Sequence, residues 1–173
     1  AFNVLAKADC SNEKKITCIQ LLSQAAGSRG MVGGQAIDLA NEGKSISIAE
    51  IENMHLHKTG ALICSCITLV ASLKFQTTDT QYRHLKHYAE CIGLAFQVQD
   101  DILDETSSTS TLGKTQGKDQ QAKKSTYPSI LGLKASKHLT KDLHDEAIQS
   151  LSNFDQRANY LRDIAQFTIS RIS

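Results

Sequence analysis

A single proline, Pro128, stands in 173 residues, and that scarcity limits what the chain can become more than any other feature. Proline breaks helices by removing a donor and clashing with the preceding turn, so long helices are permitted almost everywhere here. The apolar residues use that freedom. Behind Asn12, a capping residue type, Ile16, Ile19, Leu22 and Ala26 recur at three- and four-residue steps. Gly27, Gly30 and Gly34 keep the same spacing, along one side of a continuing helix. Each glycine costs about 1 kcal/mol relative to alanine inside a helix, so they imply either close helix–helix contact or room for a ligand beside the backbone. Asn41–Lys44 is a turn by composition, and Ser47-Ile48-Ala49-Glu50 is a capping box opening a helix through Ile51, Met54 and His55 to Leu73. A further helix is predicted from about Asp79 to Asp104, with Leu85, Tyr88, Ala89, Ile92, Ala95 and Phe96 on its apolar side. Residues 105–126, rich in Ser, Thr, Gly and Lys, resemble a flexible linker. After Pro128 two amphipathic helices are predicted, one through Leu139, Leu143, Ala147 and Leu151, the other through Leu161, Ile164, Thr168 and Ile172. No strand alternation stands out, so the expected class is all-α.

Charge narrows the range of partners. With 19 basic and 18 acidic residues the net charge is +1, which argues against a nucleic-acid surface. Any anion must be caught by local lysines and not by a global field. The five cysteines, Cys10, Cys18, Cys64, Cys66 and Cys91, form no CxxC pair and are read as lacking a histidine at ligand spacing. That reading argues against a disulfide framework and a zinc site, and for reduced thiols in a cytoplasmic protein. The apolar run Ala61–Leu73 is shorter than the roughly 20 residues that a membrane-spanning helix needs, so a buried helix and no membrane insertion are expected.

The residues that carry chemistry begin at Asp100-Asp101-Ile102-Leu103-Asp104. Asp100 and Asp104 lie about 40° apart around a helix, with Asp101 one step to the side. Like charges at this spacing repel, and a helix C-terminus adds partial negative charge. A divalent cation would turn that cost into a gain, and an all-oxygen ligand set points to a hard ion, Mg²⁺. A solvated helix end with its acids in water explains the three residues equally well. Lys58, Lys114, Lys118, Lys123 and Lys124 are natural partners for phosphate oxygens, although a Lys-rich Ser/Thr loop also serves as plain soluble surface.

Five blocks, in order, carry a family resemblance: Gly33-Gly34-Gln35-Ala36-Ile37-Asp38-Leu39, His57-Lys58-Thr59-Gly60-Ala61-Leu62, Phe96-Gln97-Val98-Gln99 leading into Asp100–Asp104, Thr111-Leu112-Gly113-Lys114, and Lys124-Ser125-Thr126-Tyr127-Pro128. Together they resemble the trans-isoprenyl diphosphate synthases, in particular the bacterial farnesyl diphosphate synthase (geranyltranstransferase) branch, across essentially the whole chain. The resemblance implies the C-terminal portion of the isoprenoid synthase helical bundle. It also implies a prenyltransferase that joins an allylic diphosphate (dimethylallyl or geranyl) to isopentenyl diphosphate, with farnesyl diphosphate as the expected product, working as a cytoplasmic homodimer. Asp100, Asp101 and Asp104 match the family's second aspartate-rich motif, which binds Mg²⁺ on the allylic diphosphate. Lys58, Lys114 and Lys124 match diphosphate ligands, and Asp119 an acid of the loop that closes over the site. Thr59 and Gln97 match residues near the allylic carbons, and Gln35 and Asp38 a block lining the cavity.

The chain departs from the family in lacking the first aspartate-rich motif, its following Arg-Arg pair, and the upstream residues that hold isopentenyl diphosphate. Residues 1–173 are therefore expected to be a partial domain, missing N-terminal helices and nearly inactive alone. The competing reading is a non-catalytic homologue that regulates or binds a prenyl synthase. It is weakened by retention of Lys58, Asp100, Asp101, Asp104, Lys114 and Lys124.

Overall fold

A computed structural model describes residues 1–110 and 125–171, and among them only helices and turns occur. The all-α expectation holds. The order is α1 (Phe2–Ala6), α2 (Asn12–Ala26), α3 (Met31–Ala40), α4 (Ile48–His55), a π-helical turn (Leu56–Gly60), α5 (Ala61–Ser72), α6 (Thr80–Ser110), α7 (Tyr127–Leu131), α8 (Leu133–Ser150), a 3₁₀ turn (Gln156–Ala158) and α9 (Asn159–Ser170).

Local chemistry explains the boundaries. Ser11, one residue ahead of the expected Asn12, caps α2 by accepting from the Lys14 amide at 3.4 Å. At Ser47 the expected capping box is present in both directions. Thr126 caps α7, whose first turn holds Pro128, where a missing N–H costs nothing. Between α7 and α8 the chain reverses at Gly132, with φ of +84°, a conformation that disfavours any side chain.

Two expectations change. The glycine-spaced segment is not one helix: α2 stops at Ala26 and α3 starts at Met31, so Gly27 and Gly30 lie in the break. A Cβ on Gly30 would sit 2.1 Å from the Ala25 carbonyl oxygen, a fold-back too tight for another residue. Gly34 alone lies inside a helix at a close crossing. The second change is the length of α6, which runs on past Asp104 to Ser110. Ser and Thr are weak helix formers, not breakers, and the Thr106 hydroxyl donates back to the Ile102 carbonyl at 2.8 Å.

The core is organised around α6. Leu94, Ala95, Val98 and Ile102 pack with Ile51, Tyr127 and Leu143 in one cluster. Tyr88, Ala89, Cys91 and Ile92 pack with Ala147, Leu151 and Ala165 in another. The expected stripe Leu143, Ala147 and Leu151 on α8 is buried, whereas on α9 Ala165 and Thr168 turn inward and Ile164 is half exposed. Tyr88 donates its hydroxyl to the Leu161 carbonyl at 2.6 Å, tying α6 to α9. From Ile48 to Ser72 the helix is continuous, and by length and composition it would suffice to cross a membrane. In this fold Ile51, Met54, Ser65, Thr68 and Ala71 of that helix are buried, while Val70 is exposed, and a third of its most apolar stretch is buried.

Candidate functional site

The site is built on the π-helical turn. An i→i+5 turn inserts one extra residue into the helix and re-aims the side chains around it. Two glycines clamp this one. A Cβ on Gly34 of α3 would lie 2.1 Å from the Lys58 amide nitrogen and 2.4 Å from its Cα, and one on Gly93 of α6 would lie 3.0 Å from the Gly60 Cα. Backbones thus approach closely on both sides of Lys58 and Thr59, which fixes where these side chains start.

The Lys58 ammonium donates to Asp38 at 2.8 Å, with both side chains partly buried. Thr59 donates its hydroxyl to Gln97 Oε1 at 2.5 Å, joining the π turn to α6. One turn further along α6 come the three aspartates. With Asp38, His55, Lys58 and Gln97 they line a cavity of about 290 Å³. Six of the expected site residues, Asp38, Lys58, Gln97, Asp100, Asp101 and Asp104, therefore face one polar cavity, and Thr59 adjoins it through Gln97. Gln35 is exposed on α3 and does not line it. Lys114, Asp119 and Lys124, as well as Lys118 and Lys123, lie outside the described residues.

The aspartates differ in their surroundings. Asp101 is buried at 9% exposure and its Oδ2 accepts from the Tyr127 amide at 3.0 Å. Asp104 is exposed. Asp100 Oδ1 meets the Arg171 guanidinium at 2.5 Å. That arginine also donates to the Phe96 carbonyl at 2.7 Å and lies 3.8 Å over the Phe96 ring. Sequence reasoning missed Arg171, because nothing local to a lone arginine near the chain's end marks it as the partner of a distant aspartate. It also placed these acids at a helix end, whereas α6 continues to Ser110. The negative end of the dipole fades within a turn and so lies beyond them.

A divalent cation fits this donor set. The cavity presents carboxylates from Asp38, Asp100, Asp101 and Asp104 with no thiol, the oxygen-rich surroundings that suit a hard ion. The Arg171 pair engages Oδ1 of Asp100, and a carboxylate has a second oxygen with its own lone pairs.

Beneath the cavity sit two buried polar rings. His55 is 5% and Tyr127 1% exposed, with centroids 5.6 Å apart. His55 Nδ1 and the Tyr127 hydroxyl have no hydrogen-bond partner among the described residues. Burial, and then the Lys58 charge, push His55 down to about 4, with Asp38 opposing, so this imidazole is neutral near pH 7. Burial, with help from Glu52 and Asp101, pushes the Tyr127 phenol well above its usual range. Neither ring offers a titrating group near neutrality.

The chain is similar to known proteins over nearly its whole length. The chain is 45% identical over 177 residues to farnesyl diphosphate synthase of Escherichia coli (strain K12), covering 99% of this chain and 59% of that protein. It thus spans less than two thirds of the length of that relative. Among solved structures, an apo FPP/GFPP synthase from Zymomonas mobilis matches with a TM-score of 0.82 at 36% identity, over 96% of this chain and 56% of that one. A geranyltransferase from Helicobacter pylori, complexed with magnesium and isoprenyl diphosphate, matches with a TM-score of 0.77 at 26% identity, over 97% of this chain and 55% of that one. The polyprenyl synthetase family model aligns with residues 1–164, a span that takes in the π turn, α6 and the first half of α9, and the chain belongs to that family.

Proposed function

We propose that this chain forms the allylic-diphosphate half of a magnesium-dependent prenyltransferase, which extends dimethylallyl or geranyl diphosphate with isopentenyl diphosphate, with farnesyl diphosphate as product. The observation that carries the reading is the convergence of Lys58, Gln97, Asp100, Asp101 and Asp104 on one cavity. In this reading residues 1–173 are part of a larger synthase domain that acts as a cytoplasmic homodimer.

The reaction breaks the allylic C–O bond, and the electron pair leaves with the diphosphate. The double bond of isopentenyl diphosphate attacks the allylic carbon, a C–C bond forms, and the proton lost goes to the departing diphosphate. Bound Mg²⁺ would supply positive charge to the diphosphate oxygens as they take up that electron pair. Asp100, Asp101 and Asp104 would hold the cation, Asp101 being kept in place by the Tyr127 amide. Lys58 would donate to a diphosphate oxygen by exchanging its bond to Asp38. It is a preorganised donor, because the clamped turn leaves its backbone little freedom. Thr59 donates to Gln97, and that bond fixes two oxygen dipoles beside the place where the allylic cation develops. Lys114 and Lys124 would serve as further diphosphate ligands, and Asp119 as an acid contributed by the same lysine-bearing stretch of sequence.

Calorimetric titration with geranyl diphosphate in Mg²⁺ tests the assignment. Binding is expected to need Mg²⁺ and to weaken at least tenfold in Asp100→Asn and in Lys58→Gln. Affinity unchanged in both variants would refute the site. A regulatory homologue would bind, yet give no prenyl transfer to labelled isopentenyl diphosphate once joined to the remaining length of its family's fold.

A further inference from the structure

Outside this cavity, a larger groove of about 580 Å³ runs along α5 and α6. Three of its lining residues converge at one end. His87 Nε2 lies 3.8 Å from Cys91 Sγ, Cys91 Sγ lies 3.8 Å from Glu146 Oε2, and His87 Nε2 lies 3.9 Å from that same oxygen. His87 and Cys91 are one turn apart on α6, the i,i+4 spacing that places two side chains together. The expectation that no histidine stood at ligand spacing from a cysteine overlooked this pair. Glu146 comes from α8 across the interface.

From this triangle we propose that His87, Cys91 and Glu146 form a binding site for a thiophilic divalent cation of the Zn²⁺ type, distinct from the oxygen-lined aspartate site. The centre of a triangle with these sides lies about 2.2 Å from each corner, within the span of Zn–N, Zn–O and Zn–S bonds, about 2.0–2.3 Å. Moving the ion out of the plane into a tetrahedral position requires the ligands to close by a few tenths of an ångström. The exposed side chains of His87 and Glu146 have the freedom to do so. All three residues line the groove, so it supplies space for water as the fourth ligand.

The ligand chemistry separates the two sites. A thiol, an imidazole and a carboxylate suit a borderline-soft ion, whereas Mg²⁺ prefers oxygen alone. Cys91 is 4% exposed, and burial together with the neighbouring Glu146 charge pushes its thiol up to about 12. It is therefore a poor nucleophile when no metal is bound. Coordination reverses this: the S–H proton leaves to solvent, the S–Zn bond forms, and binding strengthens with pH. Because the ligands come from α6 and α8, the ion would staple the two helices that enclose the core.

Cobalt(II), which reports thiolate ligation through a sulfur-to-metal charge-transfer absorption, tests the site on this chain. One equivalent is expected to bind with that absorption, to be displaced by Zn²⁺ but not by a large excess of Mg²⁺, and to release a proton. Zn²⁺ should raise the unfolding temperature. Cys91→Ser should abolish the absorption and the thermal shift. His87→Gln, at an exposed position, should weaken binding at least tenfold while leaving the fold intact, which keeps the test sound if Cys91→Ser folds poorly. Cys66→Ser and Asp100→Asn should change neither. Binding without a charge-transfer band, unaltered affinity in His87→Gln, or loss in Asp100→Asn or Cys66→Ser would each overturn the proposal.

Discussion

Replacing Gly34 by alanine sets two effects of opposite sign against each other. Helix propensity favours the change, since alanine within a helix such as α3 is about 1 kcal/mol better than glycine. The crossing opposes it. The new Cβ would begin 2.1 Å from the Lys58 amide nitrogen, 2.4 Å from its Cα and 2.8 Å from the His57 carbonyl carbon. All three are backbone atoms that no rotamer change can move aside. Reaching ordinary contact at 3.4 Å requires α3 and the π turn to separate by about 1.3 Å. Overpacking typically costs 1–3 kcal/mol, and a backbone-on-backbone clash belongs at the upper end, so a net loss of about 2 kcal/mol is expected. For a chain of this size that lowers Tm by about 4–8 °C, measurable by circular dichroism. Because the separation carries Lys58 with it, affinity for geranyl diphosphate in Mg²⁺ should fall as well. Gly93→Ala provides the scale: its Cβ would lie 3.0 Å from the Gly60 Cα, so it should cost markedly less. An unchanged or raised Tm for Gly34→Ala, or a larger loss at Gly93, would show that the glycine clamp does not hold the turn.

Three further outcomes are expected. His55, held at about 4 against an ordinary 6.5, binds fewer protons folded than unfolded below pH 6.5. Its contribution is therefore present above that pH and is lost as pH falls towards 4. Urea unfolding at pH 7.5 and 5 should show His55→Gln losing about 2 kcal/mol less than the parent over that interval, unless His55 is not held neutral. Arg171→Gln removes a positive charge that occupies Asp100 Oδ1. Mn²⁺ affinity in the absence of diphosphate should rise several-fold by electron paramagnetic resonance, while stability falls by about 1–3 kcal/mol through the lost bond to the Phe96 carbonyl. Unchanged metal affinity would mean that Arg171 and the cation do not compete. Tyr88→Phe deletes one hydroxyl donor to Leu161 and should cost about 1 kcal/mol, seen as a small fall in Tm. A fall as large as that of Gly34→Ala would contradict this share of the α6–α9 contact.

What was legible in the sequence was whatever depends on neighbours along the chain. The capping box at Ser47 and the buried stripe Leu143, Ala147 and Leu151 follow from periodicity and short-range hydrogen bonding, and the structure has them. Features made by tertiary contact did not read out. Glycine spacing suggested a continuous helix, because a pattern of small residues does not reveal whether the chain stops, as at Gly27 and Gly30, or crosses another backbone, as at Gly34. Nothing in His57-Lys58-Thr59-Gly60 announces a π turn, whose register depends on Gly34 and Gly93 pressing from other helices. Ser- and Thr-rich composition suggested a linker from residue 105, whereas α6 continues to Ser110, since weak helix formers extend a helix once it has been nucleated; residues 111–124 of that stretch lie outside the described residues.

These differences alter the physical account of the aspartates. At a helix terminus, repulsion among three carboxylates would add to the dipole, and a cation or solvent would have to relieve both. Within α6 the dipole penalty is absent, and fixed donors already offset part of the repulsion: Arg171 at Asp100 and the Tyr127 amide at Asp101. A cation reaching Asp100 meets a competing guanidinium, however, and a diphosphate brings the negative charge that both of them seek. The arrangement favours metal and diphosphate binding together over metal binding alone. In that case the neutral His55 beneath Lys58 adds no positive charge that would hold the anion without its metal.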